Sequence, residues 1–127
     1  MKTKDFQGFG KRKLPKLLPA LKEKTRYLAF EIVAGQRIRD FKDISKEIQD
    51  KSLLFLGQLG LAKAGIRMLP EKWNLTLQRG IIKVNNKYVN ELKSSLTLIK
   101  KISSQNAAVK SIGVSGILNK AEQKYLK

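Results

Sequence analysis

Residues 26–33 read RYLAFEIV, and this stretch decides the fold. Its large apolar side chains alternate along the chain, so that Leu28, Phe30 and Ile32 share one face while Tyr27 lies on the other. An apolar period of two predicts a β-strand. Because both faces are fairly apolar, we expect a central strand whose second face is also partly covered.

The chain that follows this strand predicts a helix and then a second strand. Asp43 can cap a helix that ends at Gly57. The apolar stripe of this first helix comprises Ile44, Ile48, Ser52, Phe55 and Leu56. Gly60 marks a turn into a second strand near residues 61–69, which Pro70 closes.

The second half of the chain repeats the alternation of strand and helix. A third strand covers residues 73–84, where the apolar phase slips, so a β-bulge is expected at Arg79 and Gly80. A turn at Asn85 and Asn86 precedes a second helix. Its stripe comprises Val89, Leu92, Leu96 and Ile99. Residues 105–115 predict a fourth strand, and a short last helix carries Ile117, Leu118, Ala121 and Tyr125 on one side.

The order of these elements predicts an α/β protein of the α+β class, with a ferredoxin-like, RRM-like βαββαβ fold. We expect a four-stranded antiparallel sheet with two helices on one face, and an additional C-terminal helix able to cap the other face. The 127 residues suffice for one such domain, at residues 18–127, without a disulfide or a metal to stabilise it. Residues 1–17 predict a basic, disordered N-terminal arm.

Charge is the second informative feature of the chain. Its 27 Lys and Arg residues exceed its 10 Asp and Glu residues, which gives a net charge of +17. Residues 1–26, 27–51 and 52–127 carry +7, 0 and +10. This excess predicts a polyanionic partner, and RNA is the first expectation, although charge alone does not separate RNA from DNA or an anionic membrane. The neutral middle segment is the weakest candidate for phosphate contact.

The composition disfavours two other classes of function. The chain has no His, no Cys and no visible pair of carboxylates near its basic half, so an enzyme with its own general base, thiol nucleophile or metal centre fits poorly. A membrane-surface protein also fits poorly, since no helix combines a large apolar face with a basic one. The absence of Cys suits a reducing cytosol, so we expect a cytoplasmic location. A ribosomal or other structural RNA-binding protein is the alternative left open.

Several short strings occur in the order and spacing of a known family. LPALK at residues 18–22 runs into RYLAF at residues 26–30, and LFLG at 54–57, RGIIKV at 79–84 and IGVSGI at 112–117 follow. Together these strings resemble the archaeal ribonuclease P protein component 2 family, homologues of a eukaryotic RNase P and MRP subunit of the Pop type. The resemblance covers about residues 18–120, which is nearly the whole predicted domain.

This resemblance implies a subunit of RNase P, the ribonucleoprotein endonuclease that removes the 5′ leader from precursor tRNA. In that complex the RNA subunit and magnesium perform the cleavage, so no cofactor is expected on the chain itself. The family also implies a barrel-shaped protein partner, RNase P protein component 3, and self-association into a heterotetramer. The chain is expected to support folding and low-magnesium activity of RNase P RNA, with direct or indirect contact to precursor tRNA.

The expected RNA contacts are basic side chains on the arm, the strands and the second helix. A conventional RRM stacks bases on strand aromatics, but the matching positions here are Ile81 and Lys83, which favours contact with the backbone of folded RNA. The candidate residues are Lys11, Arg12, Lys13, Lys22, Lys24, Arg26, Arg79, Lys83, Lys100, Lys101 and Lys110. Ordinary solvated charge is the alternative for those on strands and helices.

Apolar and aromatic side chains suggest further roles. The apolar excess of the first helix at Leu53, Leu54 and Phe55 predicts a protein interface, with packing against the sheet edge as the alternative. Tyr27 can stack on a base or pack under the last helix, and packing is favoured. Trp73 is interpreted as a structural anchor.

Overall fold

The computed structural model describes residues 24–127, so the predicted arm at residues 1–17 lies outside the described residues. The elements, in chain order, are β1 (Thr25–Ala34), α1 (Phe41–Ala64), β2 (Arg67–Met68), a 3-10 turn (Pro70–Lys72), β3 (Arg79–Asn85), a second 3-10 turn (Asn86–Tyr88), α2 (Val89–Leu96), β4 (Lys101–Ile102), β5 (Gln105–Ser115) and α3 (Leu118–Tyr125).

The strand at residues 26–33 is central, as predicted. It forms the middle of an antiparallel sheet with the order β2-β3-β1-β5-β4. Tyr27 of β1 pairs with Lys83 of β3 on one side and with Ser115 of β5 on the other. The order confirms the ferredoxin-like arrangement, but the described sheet has five strands rather than four. The added strand, β4, forms a hairpin with β5 through Ser103 and Ser104, whose φ values of 54° and 65° are unusual for serine.

One face of the sheet packs against α1 and α2, and we call it the helical face. The alternate apolar residues of β1 point there, and Leu28 and Phe30 are fully buried. Trp73 packs against Phe30 and Phe41, with ring centroids 6.2 and 5.7 Å apart, which confirms its role as an anchor. The buried cluster comprises Leu28, Phe30, Ile32, Ile38, Ile44, Ile48, Ile82, Val84, Leu92, Leu96, Ile99, Ile102, Ala107 and Val109.

The other face, which we call the opposite face, is partly covered by α3. Ile81, Ala121 and Leu126 form a second buried cluster there. Tyr27 packs against this cluster, so the structure confirms packing under the last helix. Gly113 of β5 lies beneath the Tyr125 ring, so closely that a Cβ atom at residue 113 would overlap the ring. The last helix therefore caps the opposite face, and a strand position without a side chain makes room for it.

Replacing Gly113 by Ala should displace Tyr125 and lower the free energy of unfolding by about 1–3 kcal/mol, because overpacking forces neighbours to shift. In a Tyr125→Ala background the same replacement should cost far less, since the overlapping ring is gone. Urea unfolding of both single variants and the double variant measures this coupling. Additive losses would contradict the close contact between residue 113 and the ring.

Three predicted details of the first helix and second strand are wrong. The N-cap is Asp40 rather than Asp43, because the Asp40 carboxylate accepts a hydrogen bond from the Lys42 backbone N–H. Gly57 does break the helix, with φ 74° and ψ 172°, but the chain resumes helical geometry until Ala64 and ends at Gly65. Most of residues 61–69 is therefore not a strand.

The predicted third strand begins too early. Asn74 forms a turn instead, since its side-chain oxygen accepts from the Leu77 backbone N–H and its backbone bridges to Arg79. The apolar phase slip reflects this turn, and the predicted bulge at Arg79 and Gly80 is wrong because the β1–β3 register is continuous there. The register shift lies between β1 and β5, where Ile112 is the unpaired extra residue.

Candidate nucleic-acid interface

Four of the predicted RNA contacts lie outside the described residues. These are Lys11, Arg12, Lys13 and Lys22. Their contact with RNA stays a prediction, carried by the density of positive charge in this part of the sequence.

Three predicted contacts lie toward one end of the sheet, where β1 begins. Lys24 is exposed, and its backbone carbonyl accepts a hydrogen bond from the Asn86 N–H. Arg26 is half-buried and donates to the Thr25 carbonyl at 2.8 Å, so part of its guanidinium is already engaged. Lys83 lies on the opposite face in register with Tyr27. We call the surface formed by Lys24, Arg26 and Lys83 the basic sheet end.

Three further candidates lie on or beside β4 and β5, across β1 from Lys83. Lys100 and Lys101 are exposed at the start of the edge strand β4. Lys110 is exposed on β5 and is paired in register with Glu31. Because β1 and β5 separate the edge strand β4 from β3, Lys100 and Lys101 belong to a different part of the surface from Lys83. The structure therefore does not bring the predicted contacts together in a single patch.

Arg79 is engaged within the protein. Its Nε donates to the Glu31 carboxylate at 3.3 Å, and its Nη1 donates to the Tyr125 carbonyl at 2.9 Å, where α3 ends. The second bond pairs with one of the last carbonyl groups of α3, which have no hydrogen-bond partner within the helix. These contacts favour a structural role, in which Arg79 ties the end of α3 to β3.

Sequence reasoning missed a basic groove between α1 and the edge strand β2. Its positive side chains belong to Lys42, Lys46 and Arg67. Lys42 and Lys46 are four residues apart on a helix, a visible signal for a shared face. The neutral total of residues 27–51 concealed this signal, because the same segment holds five carboxylates, none of which is among the described residues that line the groove.

The predicted protein interface is exposed, as an interface in the free chain requires. Leu53, Leu54 and Phe55 all reach solvent, and Leu54 is 72% exposed. Leu59, which the sequence analysis missed, lies just beyond the break at Gly57 and is 69% exposed. We call these four residues the α1 patch. Several exposed apolar side chains within one short stretch of chain are typical of binding surfaces.

Residues 24–127 contain neither a cluster of metal-binding side chains nor a membrane-spanning helix. No group of three or more acidic, His or Cys side chains there is arranged to hold a metal ion. No helix in this part of the chain has the length together with the apolar character that crossing a bilayer requires.

Comparisons with known proteins match the chain over almost its full length. A protein of Thermococcus gammatolerans named ribonuclease P protein component 2 is 38% identical over 116 residues, which cover 91% of this chain and 94% of that protein. A protein of the same name from Thermococcus kodakarensis is 35% identical over 116 residues, which again cover 91% of this chain and 94% of that protein. A third, from Methanosarcina mazei, is 31% identical and covers 89% of this chain and 93% of that protein.

A solved structure and a family model agree with these relatives. One chain in a cryo-EM structure of yeast ribonuclease MRP matches with a TM-score of 0.57, over 83% of this chain and 87% of that chain. The sequence identity is only 12%, so this likeness supports the fold alone. The model of the Rpp14/Pop5 family matches residues 26–126, from β1 through α3. The chain belongs to the Rpp14/Pop5 family.

Proposed function

We propose that this chain is an RNA-binding protein subunit of RNase P, the ribonucleoprotein that removes the 5′ leader from precursor tRNA. The observation that carries the proposal is the match to proteins named ribonuclease P protein component 2 across about nine-tenths of the chain. The charge of +17 supports it, because a protein that neutralises phosphates lets RNA helices approach one another.

In this proposal the chain binds and organises RNA, and the RNA subunit with its magnesium performs the cleavage. The composition supports that division, since the sequence contains neither His nor Cys to act as general base or nucleophile. The chain lowers the magnesium concentration that the RNA needs by placing Lys and Arg where divalent ions would otherwise screen phosphate repulsion. A cytoplasmic location belongs to the same proposal.

The α1 patch binds protein rather than RNA. Its four residues are apolar, and a phosphate backbone gains nothing from such a surface. RNase P protein component 3 and a second copy of this chain are the proposed partners, which together give the heterotetramer. The basic sheet end and the α1 patch lie on different elements, so RNA and protein partners bind without competing.

Reconstitution tests the proposed function directly. RNase P RNA, component 3 and precursor tRNA are combined with or without this chain, and cleavage of the 5′ leader is measured across a magnesium titration. We expect the chain to shift the titration midpoint to lower magnesium, and only when component 3 is present. An unchanged midpoint counts against the proposal.

A second measurement separates the proposal from the ribosomal alternative. The tagged chain should co-purify with RNase P RNA at moderate salt. Sedimentation with ribosomal subunits at the same salt, without RNase P RNA, favours the alternative.

A further inference from the structure

The groove between α1 and β2 combines positive charge with an apolar floor. It has a volume of about 600 Å³ and lies between the first turns of α1 and the strand that forms one edge of the sheet. Its polar lining consists of Lys42, Ser45, Lys46, Gln49 and Arg67, and its apolar lining consists of Phe41, Ile66, Met68 and Pro70. Among the described residues no carboxylate lines it, although α1 carries several.

The positive side chains of this groove are free to bind a ligand. Lys42, Lys46 and Arg67 are all exposed, and none forms an ion pair with the described residues. Other cations of the described chain differ in this respect. Lys51, Lys72 and Arg79 are each paired with a glutamate at 3.5, 3.3 and 3.3 Å.

Two carboxylates near the groove have partners of their own. Glu47 pairs with Lys51 along the helix. Asp43 accepts a hydrogen bond from Ser103 in the β4–β5 hairpin, at 2.6 Å. Lys46 also lines a neighbouring pocket that contains Asp43 and Glu47, so these carboxylates offset part of its charge, whereas Lys42 and Arg67 do not line that pocket.

Positive charge continues from the groove around the sheet edge. Arg67 of β2 is paired in register with Lys83 of β3, so its side chain leaves the sheet edge on the opposite face, which Lys83 shares. A chain of phosphates that follows this edge therefore meets Lys42 and Lys46 on α1, then Arg67, and then Lys83. This arrangement fits an extended polyanion better than a single anion.

We propose that this groove binds an unpaired stretch of RNA, with phosphates against Lys42, Lys46 and Arg67 and a base against the apolar floor. The inference rests on the proposed RNA-binding function and says which surface and which form of RNA are involved. Single strands offer both groups at once, since their bases are free to contact apolar and aromatic side chains while the backbone follows cations. The bases of a duplex are stacked on one another, so their faces cannot contact the apolar residues of the groove.

An acidic peptide is the competing occupant, and the edge strand disfavours it. A peptide that adds to a sheet edge relies on a row of free backbone groups. Here β2 contains two residues, and Pro70, which has no N–H, follows it closely. Short edge strands and proline are devices that prevent strand addition. The side chains of the groove, rather than its backbone, are therefore the binding groups.

The test compares two triple variants with the same change in charge. The groove variant carries Lys42→Gln, Lys46→Gln and Arg67→Gln. The control carries Lys63→Gln, Lys93→Gln and Lys120→Gln, which are also exposed but lie on α1 beyond Gly57, on α2 and on α3. All six positions are exposed, so both proteins should fold, which circular dichroism checks. Should the groove triple fail to fold, the Lys42→Gln, Lys46→Gln double variant replaces it.

Binding is measured with the full chain and an unstructured oligouridylate of about 12 nucleotides, a length within the range that such sites occupy. Fluorescence anisotropy over a salt series gives affinity and the number of phosphate contacts. Each lost phosphate contact should reduce the slope of log binding constant against log salt concentration by about 0.7. The groove variant, which loses three contacts, should therefore have a slope smaller by about 2 and an affinity lower by about tenfold or more. The control should bind within about threefold of the unmodified chain.

Trp73 provides a local signal for the base. It is the single tryptophan of the sequence, and its ring centroid lies 5.7 Å from that of Phe41 in the groove floor. Oligouridylate should change the Trp73 emission with the same midpoint as the anisotropy. An RNA hairpin of equal length should leave the emission unchanged.

The remaining outcomes overturn the inference in distinguishable ways. Equal losses in the groove and control variants remove the groove from the interface but leave RNA binding, and hence the proposed function, intact. Groove-dependent binding of the hairpin that equals binding of oligouridylate overturns the preference for unpaired RNA. Oligoglutamate that displaces the RNA at equal charge and shifts the Trp73 emission assigns the groove to an acidic protein segment. Failure to bind any RNA form at low salt counts against the proposed function as well.

Discussion

Replacing Phe30 by Ala should lower the free energy of unfolding by about 3–5 kcal/mol, the cost typical of removing a buried aromatic ring. Phe30 is fully buried at the centre of β1 and stacks against Trp73, which in turn contacts Phe41 on α1. The cavity left behind would therefore disturb the sheet and the α1 contact together. Because small domains are stable by only about 5–15 kcal/mol, this one change should consume a large part of the total.

Phe55→Ala is the matched control for this experiment. This variant also removes a phenyl ring, but Phe55 lies on α1 and is 48% exposed in the free chain. The change should therefore alter the free energy of unfolding by less than about 0.5 kcal/mol. Urea unfolding followed by circular dichroism measures both variants. Similar losses in the two would contradict the assignment of Phe30 to the core. The emission of Trp73 is not a suitable sole probe, since the Phe30 replacement changes its surroundings.

The elements that the sequence predicted correctly are those whose pattern is local and long. β5 occupies the predicted residues 105–115, and β1 contains the predicted 26–33 within Thr25–Ala34. In β1 alternation over eight residues left little ambiguity, whereas the apolar phase of β5 shifts between Val109 and Ile112, where the bulge lies. The last helix was recognisable from four apolar residues at helical spacing, and its place on the opposite face followed from the apolar second face of β1.

The errors arose where two readings of the same residues compete. Gly57 is a true break in α1, but residues 58–64 return to the helix, and Gly65 with φ 60° is the actual stop. Nothing in a short apolar run distinguishes a helix that resumes from a strand that begins. At residues 73–78 the hydrogen bonds of Asn74 stabilise a turn instead of a strand. A pattern of apolar and polar residues does not show hydrogen bonds made by side chains.

The candidate site was less predictable than the fold because it depends on pairing between distant residues. Arg67 joins Lys83 only through the register of β2 and β3, and Arg79 is drawn to Tyr125 only after α3 has packed across the sheet. A sequence shows which residues are charged, but pairing decides which charges are used internally. Arg79 was selected from the sequence and is paired with Glu31, whereas Lys42 and Lys46 were not selected and form no ion pair with the described residues.

Placing negative charge on the α1 patch should prevent the chain from assembling with its protein partners. In the variant Leu54→Glu, Leu59→Glu, two of the most exposed apolar side chains of the described chain become carboxylates on either side of the Gly57 break. Buried interface anchors typically contribute about 2 kcal/mol or more, so association should weaken by at least about 30-fold. The side chains make few contacts within the chain, so the fold should persist.

The control adds the same two charges to other exposed apolar positions, in the variant Val33→Glu, Ile117→Glu. Val33 lies near the end of β1, and Ile117 lies between β5 and α3, so neither belongs to α1. Light scattering of the chain alone reports self-association, and titration calorimetry with component 3 reports the mixed pair. If the α1 variant keeps both associations at the strength of the control, the patch is not the protein interface.

The same pair of variants separates assembly from RNA binding. Both variants reduce the net charge equally, so their affinity for RNA should fall by the same small amount, as expected for charges that lie away from phosphate. In the reconstituted system the control should still shift cleavage to lower magnesium, whereas the α1 variant should not. A loss of activity with intact RNA affinity would show that the chain acts on the RNA subunit only as part of its protein complex, and equal activity of the two variants would contradict that dependence.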